Sequence, residues 1–396
     1  MLSDLFKHSG IYFGGLTISR LLSTFVFILF ARTLNPSSFG DLVLFHTLVL
    51  TITFFSDFGM NQWYQKMAHQ ENKDKLFGKI IHARIFTLIS SLFLSFLFLY
   101  LTRSFSTSIS LIFLIVLVFE AFSSIVDGYY LEKKQAGKLS LKTAARMIVY
   151  LAGYILTFQV FTFEVAVYLY LISSFVTAAW IFPWGQLKHL QFSPLSRIMK
   201  TLKGSSSYAF LIATSFAYSR GDSLVVRYTL NSSALGIYGA AYRYLEGLSL
   251  LPTALSHNLF PLSAKESTVT SQHLRKITLF MMLIGLLTSI VLYVFSDWFI
   301  VTIIGPAYIQ AVPILKIFSG VVFLFFLNAP LATIVQSSKL LKKFLPFGIA
   351  NTVLNIALNI LLIPFFGVVA AAWVMLTTEI TGLLVNLYFT RKLYNQ

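Results

Sequence analysis

The chain has 396 residues, of which 57% are hydrophobic, 16% aromatic and 11% charged. A soluble globular chain is typically about one quarter charged, so this composition, with a mean hydropathy of +0.78, excludes a soluble fold. It predicts an all-α integral membrane protein. The net charge of +16 would suggest nucleic acid in a soluble protein, but here it concerns membrane topology, and we expect no nucleic-acid partner.

Twelve apolar segments have the length of membrane spans, since about 20 residues cross the hydrocarbon core of a bilayer. In chain order the predicted spans are 10–32, 41–62, 81–102, 107–130, 143–161, 164–185, 205–229, 234–260, 277–298, 308–334, 345–365 and 367–390. The first is predicted to be a retained span and not a signal peptide, because few positive charges precede it. No connecting loop is long enough to fold as a separate domain, so binding is expected among the helices.

Basic residues are concentrated in every second connecting loop. Five loops each carry three or four Lys or Arg residues: 63–80, 131–142, 186–204, 261–276 and 335–344. The loops between them are short, and Arg103 is their one basic residue. Because cytoplasmic loops carry an excess of Lys and Arg, this pattern predicts that both termini lie in the cytoplasm.

Two segments near the ends of spans resemble each other. TLNPSSFGD (33–41) and TLNSSALGI (229–237) are offset by 196 residues, almost half the chain. The offset predicts two six-helix lobes related by a pseudo-two-fold axis along the membrane normal, with a substrate path between them. The predicted domains are an N-terminal lobe (1–185), a basic cytoplasmic linker (186–204) and a C-terminal lobe (205–396). The alternative is that the two segments are merely common turns.

Several charged residues lie deep within the predicted spans. A charge at the bilayer centre costs roughly 2.5–3.5 kcal/mol on insertion scales, so we expect these groups to face the protein interior or a wet cavity. The candidates for substrate binding are Arg20, Arg220, Arg243 and Lys316. The candidates for ion coupling or a structural ion pair are Glu120, Asp222, Glu246 and Glu379. Such basic groups suit a phosphorylated or acidic substrate.

Other charged residues lie closer to the span ends. For these, interfacial anchoring or a structural ion pair is the expected role. They are Arg32, Asp57, Arg84, Asp127, Arg146 and Arg227.

Spacing along the helices predicts which of the deep groups can pair. Arg220 and Asp222 are two residues apart and point to nearly opposite sides of a helix, so each needs another partner. Arg243 and Glu246 are three apart and can pair on one face. Lys316 has no acidic residue within a turn, so its partner must come from another helix or from the substrate.

Motifs of catalysis and cofactor binding are missing from the sequence. It contains no G-x-x-x-x-G-K-[ST] loop, no G-x-S-x-G, no Cys and no His/Asp/Glu spacing typical of a metal site. We therefore expect no catalytic residue, no metal, no cofactor and no enzymatic activity.

Motifs along the whole chain resemble the Wzx-type flippases of O-antigen and capsular polysaccharide repeat units. The resemblance is carried by ARTLNPSSFGDLVLF with SDFGMNQW, by DSLVVRYTLNSSALGIYGAAYRYLEGLSLLPTALSHNLFPLSAKE, by GPAYIQAVPILKIFSG and by NTVLNIALNILLIPFFGVVAAAWVMLTTE. Each motif alone is loose, but their order and spacing together are fairly specific. These flippases belong to the multidrug/oligosaccharidyl-lipid/polysaccharide exporter superfamily.

The resemblance implies a flippase in the bacterial cytoplasmic (inner) membrane. Its implied substrate is an oligosaccharide linked to undecaprenyl pyrophosphate, which it moves by alternating access for O-antigen (lipopolysaccharide) or capsule synthesis. The implied partners are membrane lipid, a coupling H⁺ or Na⁺ ion, and a polysaccharide polymerase with chain-length proteins. The charged candidates given above would line its cavity.

Two other functions remain open from the sequence. A multidrug exporter of the same superfamily is expected to show an acidic cavity, whereas basic groups are prominent here. A membrane polysaccharide polymerase or acyltransferase would leave the internal repeat unexplained, and polymerases of this pathway usually carry a long external loop.

Overall fold

The structure is a computed structural model that describes residues 21–68, 73–133, 135, 137–185, 194–253 and 271–394. All regular elements in these ranges are helices. The predicted all-α integral membrane fold is thereby confirmed, and the chain is a multi-pass membrane protein.

The helices are numbered in chain order. They are α1 (Leu21–Thr33), α2 (Pro36–Asp57), α3 (Met60–Met67), α4 (Lys73–Thr102), α5 (Thr107–Glu132), α6 (Gly137–Thr157), α7 (Phe163–Ile181), α8 (Leu195–Thr229), α9 (Ser232–Leu248), α10 (Ser271–Val294), α11 (Ala311–Ser337), α12 (Leu341–Phe366) and α13 (Val368–Tyr394). A π-helix (Trp298–Ile304) and two short 3₁₀ turns (Phe158–Val160 and Pro306–Tyr308) complete them.

Nine helical segments within the described ranges are long and apolar enough to cross a membrane. They coincide with nine of the twelve predicted spans. The other three predicted spans fall on α1, whose described part has 13 residues, on α8, which is long but more polar, and on α9, which is described to Leu248.

The described residues group into two compact units. The first unit contains residues 21–26 and 45–216, and the second contains 27–44 and 217–394. The last part of α1 and the first part of α2 therefore belong to the second unit, and most of α8 belongs to the first. The predicted lobes and linker, which divide the chain by topology, stay a prediction.

In the first unit, the segment that follows α2 is bent sharply. Phe58 and Gly59 both have positive φ, at 47° and 70°, so the helix stops at Asp57 and α3 starts at Met60. This conformation is uncommon for a residue with a side chain. Beyond the bend, Met60 and Tyr64 of α3 pack into an apolar core with residues of α4 and α5.

In the second unit, the two copies of the Thr-Leu-Asn turn have the same local structure. Asn35 and Asn231 both accept a hydrogen bond from the backbone N–H three residues later, at 2.9 and 2.8 Å, which caps α2 and α9. Thr33 and Thr229 both donate to the carbonyl four residues earlier. The similarity of the two sequences therefore extends to their hydrogen bonds.

The π-helix is held at its end by the basic residue of α1. Arg32 donates from Nη1 to the carbonyl oxygens of Thr302 and Ile303, at 3.1 and 2.8 Å. The last carbonyls of a helix lack partners within it, so the guanidinium satisfies two of them. Arg32 thus anchors the π-helix through its backbone, a role that differs from the interfacial anchoring or ion pair expected from its position at a span end.

Candidate functional site

Two arginines and one glutamate form a charged triad in the second unit. Glu246 of α9 accepts from Nη1 of Arg243 through Oε2 at 2.7 Å, and it pairs through Oε1 with Nη2 of Arg220 of α8. The side chains of Arg220, Glu246 and Arg243 are 14%, 27% and 7% exposed. Two cations share one carboxylate, so this triad carries a net charge of about +1.

One aromatic ring lies against each guanidinium group. The Arg220 guanidinium lies 5.3 Å from the centre of the Tyr242 ring, and that of Arg243 lies 3.8 Å from the centre of the Phe27 ring. Tyr242 also donates from its hydroxyl to the carbonyl of Ser219 at 2.8 Å, which fixes the ring under Arg220. Cation–π contacts stabilise a desolvated arginine by about 2 kcal/mol. The arginines are therefore held by the protein without full neutralisation of their charge.

Asp222 has partners of its own. One carboxylate oxygen accepts from the Tyr238 hydroxyl of α9, and the other accepts from the backbone N–H and the hydroxyl of Ser223. Asp222 is 3% exposed. Arg220 and Asp222 thus each have a different partner, as their spacing predicts, although both partners lie on the same helix, α9. Asp222 ties α8 to α9 beside the triad.

Glu379 lies in a network of neutral polar groups. Its Oε1 accepts from the Tyr218 hydroxyl of α8 at 2.5 Å, and its Oε2 accepts from the side-chain amide of Asn328 of α11 at 2.9 Å. Asn386 of α13 extends the network to Asn328 at 3.0 Å. Neither Tyr218 nor Asn328 was predicted in this role. An asparagine in the apolar run 311–337 is the signal that would have found the second.

Asparagines spaced by one turn on α12 form a second polar run. Asn355 donates to the hydroxyl of Thr378 of α13 at 3.0 Å, and Asn359 donates to Asn355 at 3.0 Å. Asn351 accepts from Thr381 of the same helix α13. These bonds hold α12 and α13 together next to Glu379.

Lys316 is not a member of the triad. It lies in the second turn of α11, and its Nζ is 3.0 Å from the carboxylate of Asp297, just before the π-helix. The two side chains are 38% and 64% exposed. The sequence correctly required a partner from another segment. Lys316 lies within roughly 8 Å of the start of the helix, and its predicted depth in the membrane stays a prediction.

Residues 5–266 match the family described as polysaccharide biosynthesis protein. The match covers about two thirds of the sequence. The chain belongs to the polysaccharide biosynthesis protein family. A comparison with curated proteins finds no match.

Solved structures show which fold this polysaccharide biosynthesis protein has. The lipid II flippase MurJ in an inward closed conformation is similar with a TM-score of 0.75 at 14% identity, over 97% of this chain and 90% of that one. An inward-facing multidrug resistance MATE family transporter of the MOP superfamily follows, with a TM-score of 0.65 at 12% identity over 98% and 99%. The Vibrio cholerae MATE transporter VcmN (D35N mutant) has a TM-score of 0.60 at 13% identity over 100% and 98%. At these identities the similarity establishes the fold alone.

The remaining predicted site residues lie elsewhere in the polysaccharide biosynthesis protein. Glu120 of α5 is in the first unit, where it pairs with Arg146 of α6 at 2.7 Å and accepts from Ser174 of α7 at 2.6 Å. Arg146 also donates to Thr177 at 3.2 Å. Glu120 is thus part of an ion pair, and its role in ion coupling stays a prediction. Arg20 lies outside the described residues.

The first unit contains a further polar centre, formed by charged residues near the span ends. For these residues the sequence predicted interfacial anchoring or structural ion pairs. Arg84 of α4 pairs with Asp57 and donates to the Ser124 hydroxyl of α5, and Lys142 of α6 pairs with Asp127. These pairs agree with the structural role that the span-end positions indicate.

Asn61, which no sequence pattern indicated, completes this polar centre. Its amide donates to the carbonyl of Ser124 at 3.0 Å and accepts from the N–H of Gly128 at 3.0 Å. An α-helix pairs these two groups with each other, so Asn61 is inserted beside the backbone ladder of α5. Gly128 is required there, because a Cβ would lie 2.8 Å from the Asn61 carbonyl oxygen.

Within the described ranges, the structure brings together no group of three or more His, Cys, Asp or Glu residues that could hold a metal ion. The second unit contains two features of interest: a positively charged triad in contact with aromatic rings, and a separate carboxylate, Glu379, with neutral partners. Such a triad can bind a phosphate group bidentately through arginine in exchange for the Glu246 carboxylate.

Proposed function

We propose that this polysaccharide biosynthesis protein flips an oligosaccharide linked to undecaprenyl pyrophosphate across the bacterial inner membrane, for O-antigen or capsule synthesis. The observation that carries the proposal is the triad of Arg220, Arg243 and Glu246, with its excess positive charge in an aromatic, largely buried setting. The family match supports a polysaccharide precursor as the substrate, and the MurJ-like fold is compatible with moving a lipid-linked one.

The triad suits a pyrophosphate for an electrostatic reason. In the resting arrangement each Glu246 oxygen faces one arginine, so a pyrophosphate that displaces the carboxylate meets two guanidinium groups already in position. Arginine forms two parallel hydrogen bonds with phosphate oxygens, whereas a cationic drug would be repelled. Alternating access would then carry the headgroup across while the lipid tail stays in the bilayer.

The test uses the purified full-length chain in proteoliposomes with a fluorescent lipid-linked oligosaccharide and a membrane-impermeant quencher. In protein-free vesicles the inner-leaflet label is protected, and we expect the protein to make all of the label accessible. Arg220→Met should slow this step about ten- to a hundred-fold, because a charge-assisted hydrogen bond is lost. Unchanged protection of the label by the reconstituted protein would contradict the proposal.

A cellular experiment separates the alternatives. In the bacterium that carries this chain, its deletion should accumulate lipid-linked repeat units that face the cytoplasm. Accumulation of units already exposed outside would indicate a polymerase. Normal surface polysaccharide with altered drug susceptibility would indicate a multidrug exporter.

We further propose Glu379 as the ion-coupling carboxylate. Glu120 and Glu246 face arginines. Asp222 and Glu379 both have neutral partners, but Asp222 accepts from three donors, one of them a backbone N–H, whereas the Glu379 carboxylate accepts from two, Tyr218 and Asn328. A buried negative charge in a membrane without a counter-charge is costly, so a proton or Na⁺ would stabilise it.

Glu379→Gln tests this role while keeping the size and hydrogen-bonding capacity of the side chain. We expect the variant to flip substrate at a rate that no longer responds to an imposed H⁺ or Na⁺ gradient. Asp297→Asn, which affects only the exposed pair with Lys316, is the control and should keep the response. If Glu379→Gln responds to the gradient as the natural protein does, another residue couples the ion.

A further inference from the structure

An apolar groove runs along the first unit between α2 and α8. It encloses about 670 Å³ of empty space, part of it open to the surroundings. Five phenylalanines line it: Phe54, Phe55, Phe58, Phe210 and Phe216. Ala209 and Ala213 of α8 leave room between the rings. The positions on each helix recur every three or four residues, so each helix presents one continuous face to the groove.

Contacts at both ends define the groove. At one end Gly59 lies against α8, where a Cβ would come within 2.5 Å of the Ala209 nitrogen and 2.6 Å of the Tyr208 Cβ. Toward the other end, the rings of Phe54 and Phe216 are 5.2 Å apart. The bend after α2 thus brings the chain against α8 at one end of the groove. The pair of Phe54 and Phe216 bridges the two helices toward the other end.

The groove retains exposed rings although it lies between two helices. Phe54, Phe55 and Phe210 are 43%, 56% and 56% exposed. A flat lipid-facing helix presents single apolar side chains, whereas here several rigid rings form a concave surface. Ligand sites are typically concave and lined by aromatic side chains with few polar groups.

Cations lie next to the end that is closed by Gly59. Lys203 is one turn before Ser206, which lines the groove on α8, and Lys200 and Lys66 lie in the same predicted cytoplasmic region. All three side chains are exposed. Residues 58–68 and 195–216 contain no Asp or Glu. The local charge therefore complements an anionic headgroup at the membrane surface, with its hydrocarbon extending along the phenylalanines.

We propose that this aromatic groove holds the polyprenyl chain of the lipid carrier, with the carrier phosphate beside Lys203, in the initial bound state that precedes transfer of the headgroup to the triad and release of the tail into the bilayer. The inference rests on the proposed function for the identity of the carrier. A polyprenyl chain is methyl-branched, and its total length exceeds the thickness of one leaflet, so a fixed groove orders it where bulk lipid would leave it free. Phospholipid acyl chains, in contrast, cover any lipid-facing surface without preference.

The test is cross-linking from within the groove, with undecaprenyl phosphate as the probe. A photoactivatable phenylalanine derivative replaces Phe210 in the full-length protein, in vesicles of phosphatidylcholine that contain a small fraction of undecaprenyl phosphate. The matched control carries the same derivative at Phe365 of α12, which is 82% exposed. We expect undecaprenyl phosphate adducts at position 210 to exceed those at 365 by about ten-fold.

A groove-filling variant gives the second readout. Ala213→Trp should remove the excess of undecaprenyl phosphate adducts at position 210 while the protein keeps its elution profile in detergent. Equal adduct ratios at positions 210 and 365, matching the lipid composition, would overturn the inference. The probe lacks sugars and this experiment measures binding, so its result is independent of the flipping assay. Selective labelling at position 210 without flipping would overturn only the proposed function. Flipping without selective labelling would overturn only the assignment of the groove.

Discussion

Removal of the Glu246 carboxylate, by Glu246→Ala, is expected to lower the free energy of unfolding by about 3 kcal/mol. The substitution leaves Arg220 and Arg243 close together in a largely buried setting with no shared anion. Breaking a buried ion pair by removal of one partner costs about 3–5 kcal/mol, and we take the lower value because Glu246 is 27% exposed. Thermal unfolding in detergent and denaturation in a graded detergent mixture measure the loss.

Removal of one arginine should have a smaller effect on stability. Arg220→Met leaves Glu246 paired with Arg243, so no uncompensated charge remains. The methionine also retains contact with the Tyr242 ring, because its thioether packs well on aromatic groups. We therefore expect Arg220→Met to lower the rate of flipping strongly and the free energy of unfolding only weakly. If Arg220 were purely structural, the substitution would mainly lower stability.

Replacement of the whole triad separates stability from transport. The triple variant Arg220→Met, Arg243→Met and Glu246→Leu removes all three charges at once, and apolar replacements of buried ion triads are often neutral or stabilising. We expect it to unfold near the temperature of the natural protein but to flip no substrate. A triple variant that transports normally would show that the triad does not bind the headgroup, and a stable Glu246→Ala variant would show that the triad is not buried as described.

Membrane spans were predictable because hydropathy and length fix them almost independently of packing. The predicted span 107–130 agrees closely with α5 (Thr107–Glu132), and the predicted boundary near residue 366 agrees with the junction at Gly367. The bend after α2 was not predictable. Phe58 adopts a positive φ that no local preference favours, so the predicted span 41–62 runs through a position where the structure changes direction.

The partner of a buried charge was predictable only where both residues lie on the same helix. Arg243 and Glu246 follow from spacing, since residues three apart are neighbours on a helix. Tyr238 as the partner of Asp222, or Asn328 as the partner of Glu379, depends on how each helix is rotated against the next. A single sequence does not specify that rotation, because apolar residues surround these spans on all sides.

The two glycines of the repeated turn lie at a reciprocal contact between α2 and α9. A Cβ on Gly40 would lie 1.7 Å from the carbonyl oxygen of Ser232, and a Cβ on Gly236 would lie 1.9 Å from that of Pro36. Ser232 and Gly236 correspond to Pro36 and Gly40 at the offset of 196 residues, so each copy packs on the other in the same way. Ser232 also donates to Asp41 at 2.6 Å, which fixes the crossing.

Gly40→Ala and Gly236→Ala are each expected to lower the free energy of unfolding by about 1–3 kcal/mol, as overpacking does, because backbone on the facing helix must move. The double variant should cost little more than either single one. Both methyl groups push the same two helices apart, and once the helices have separated the second methyl group has room.

A glycine in open space provides the control. Gly348 of α12 has no atom within 4 Å of the position of a Cβ, so Gly348→Ala should be neutral or stabilise the helix by about 0.5–1 kcal/mol. Losses that add fully in the double variant of Gly40 and Gly236 would mean that the two glycines act at separate contacts. If the double variant instead loses about as much stability as either single variant, the two glycines act at one helix crossing. Free-energy changes at separate contacts would add, whereas those of two residues that separate the same pair of helices do not.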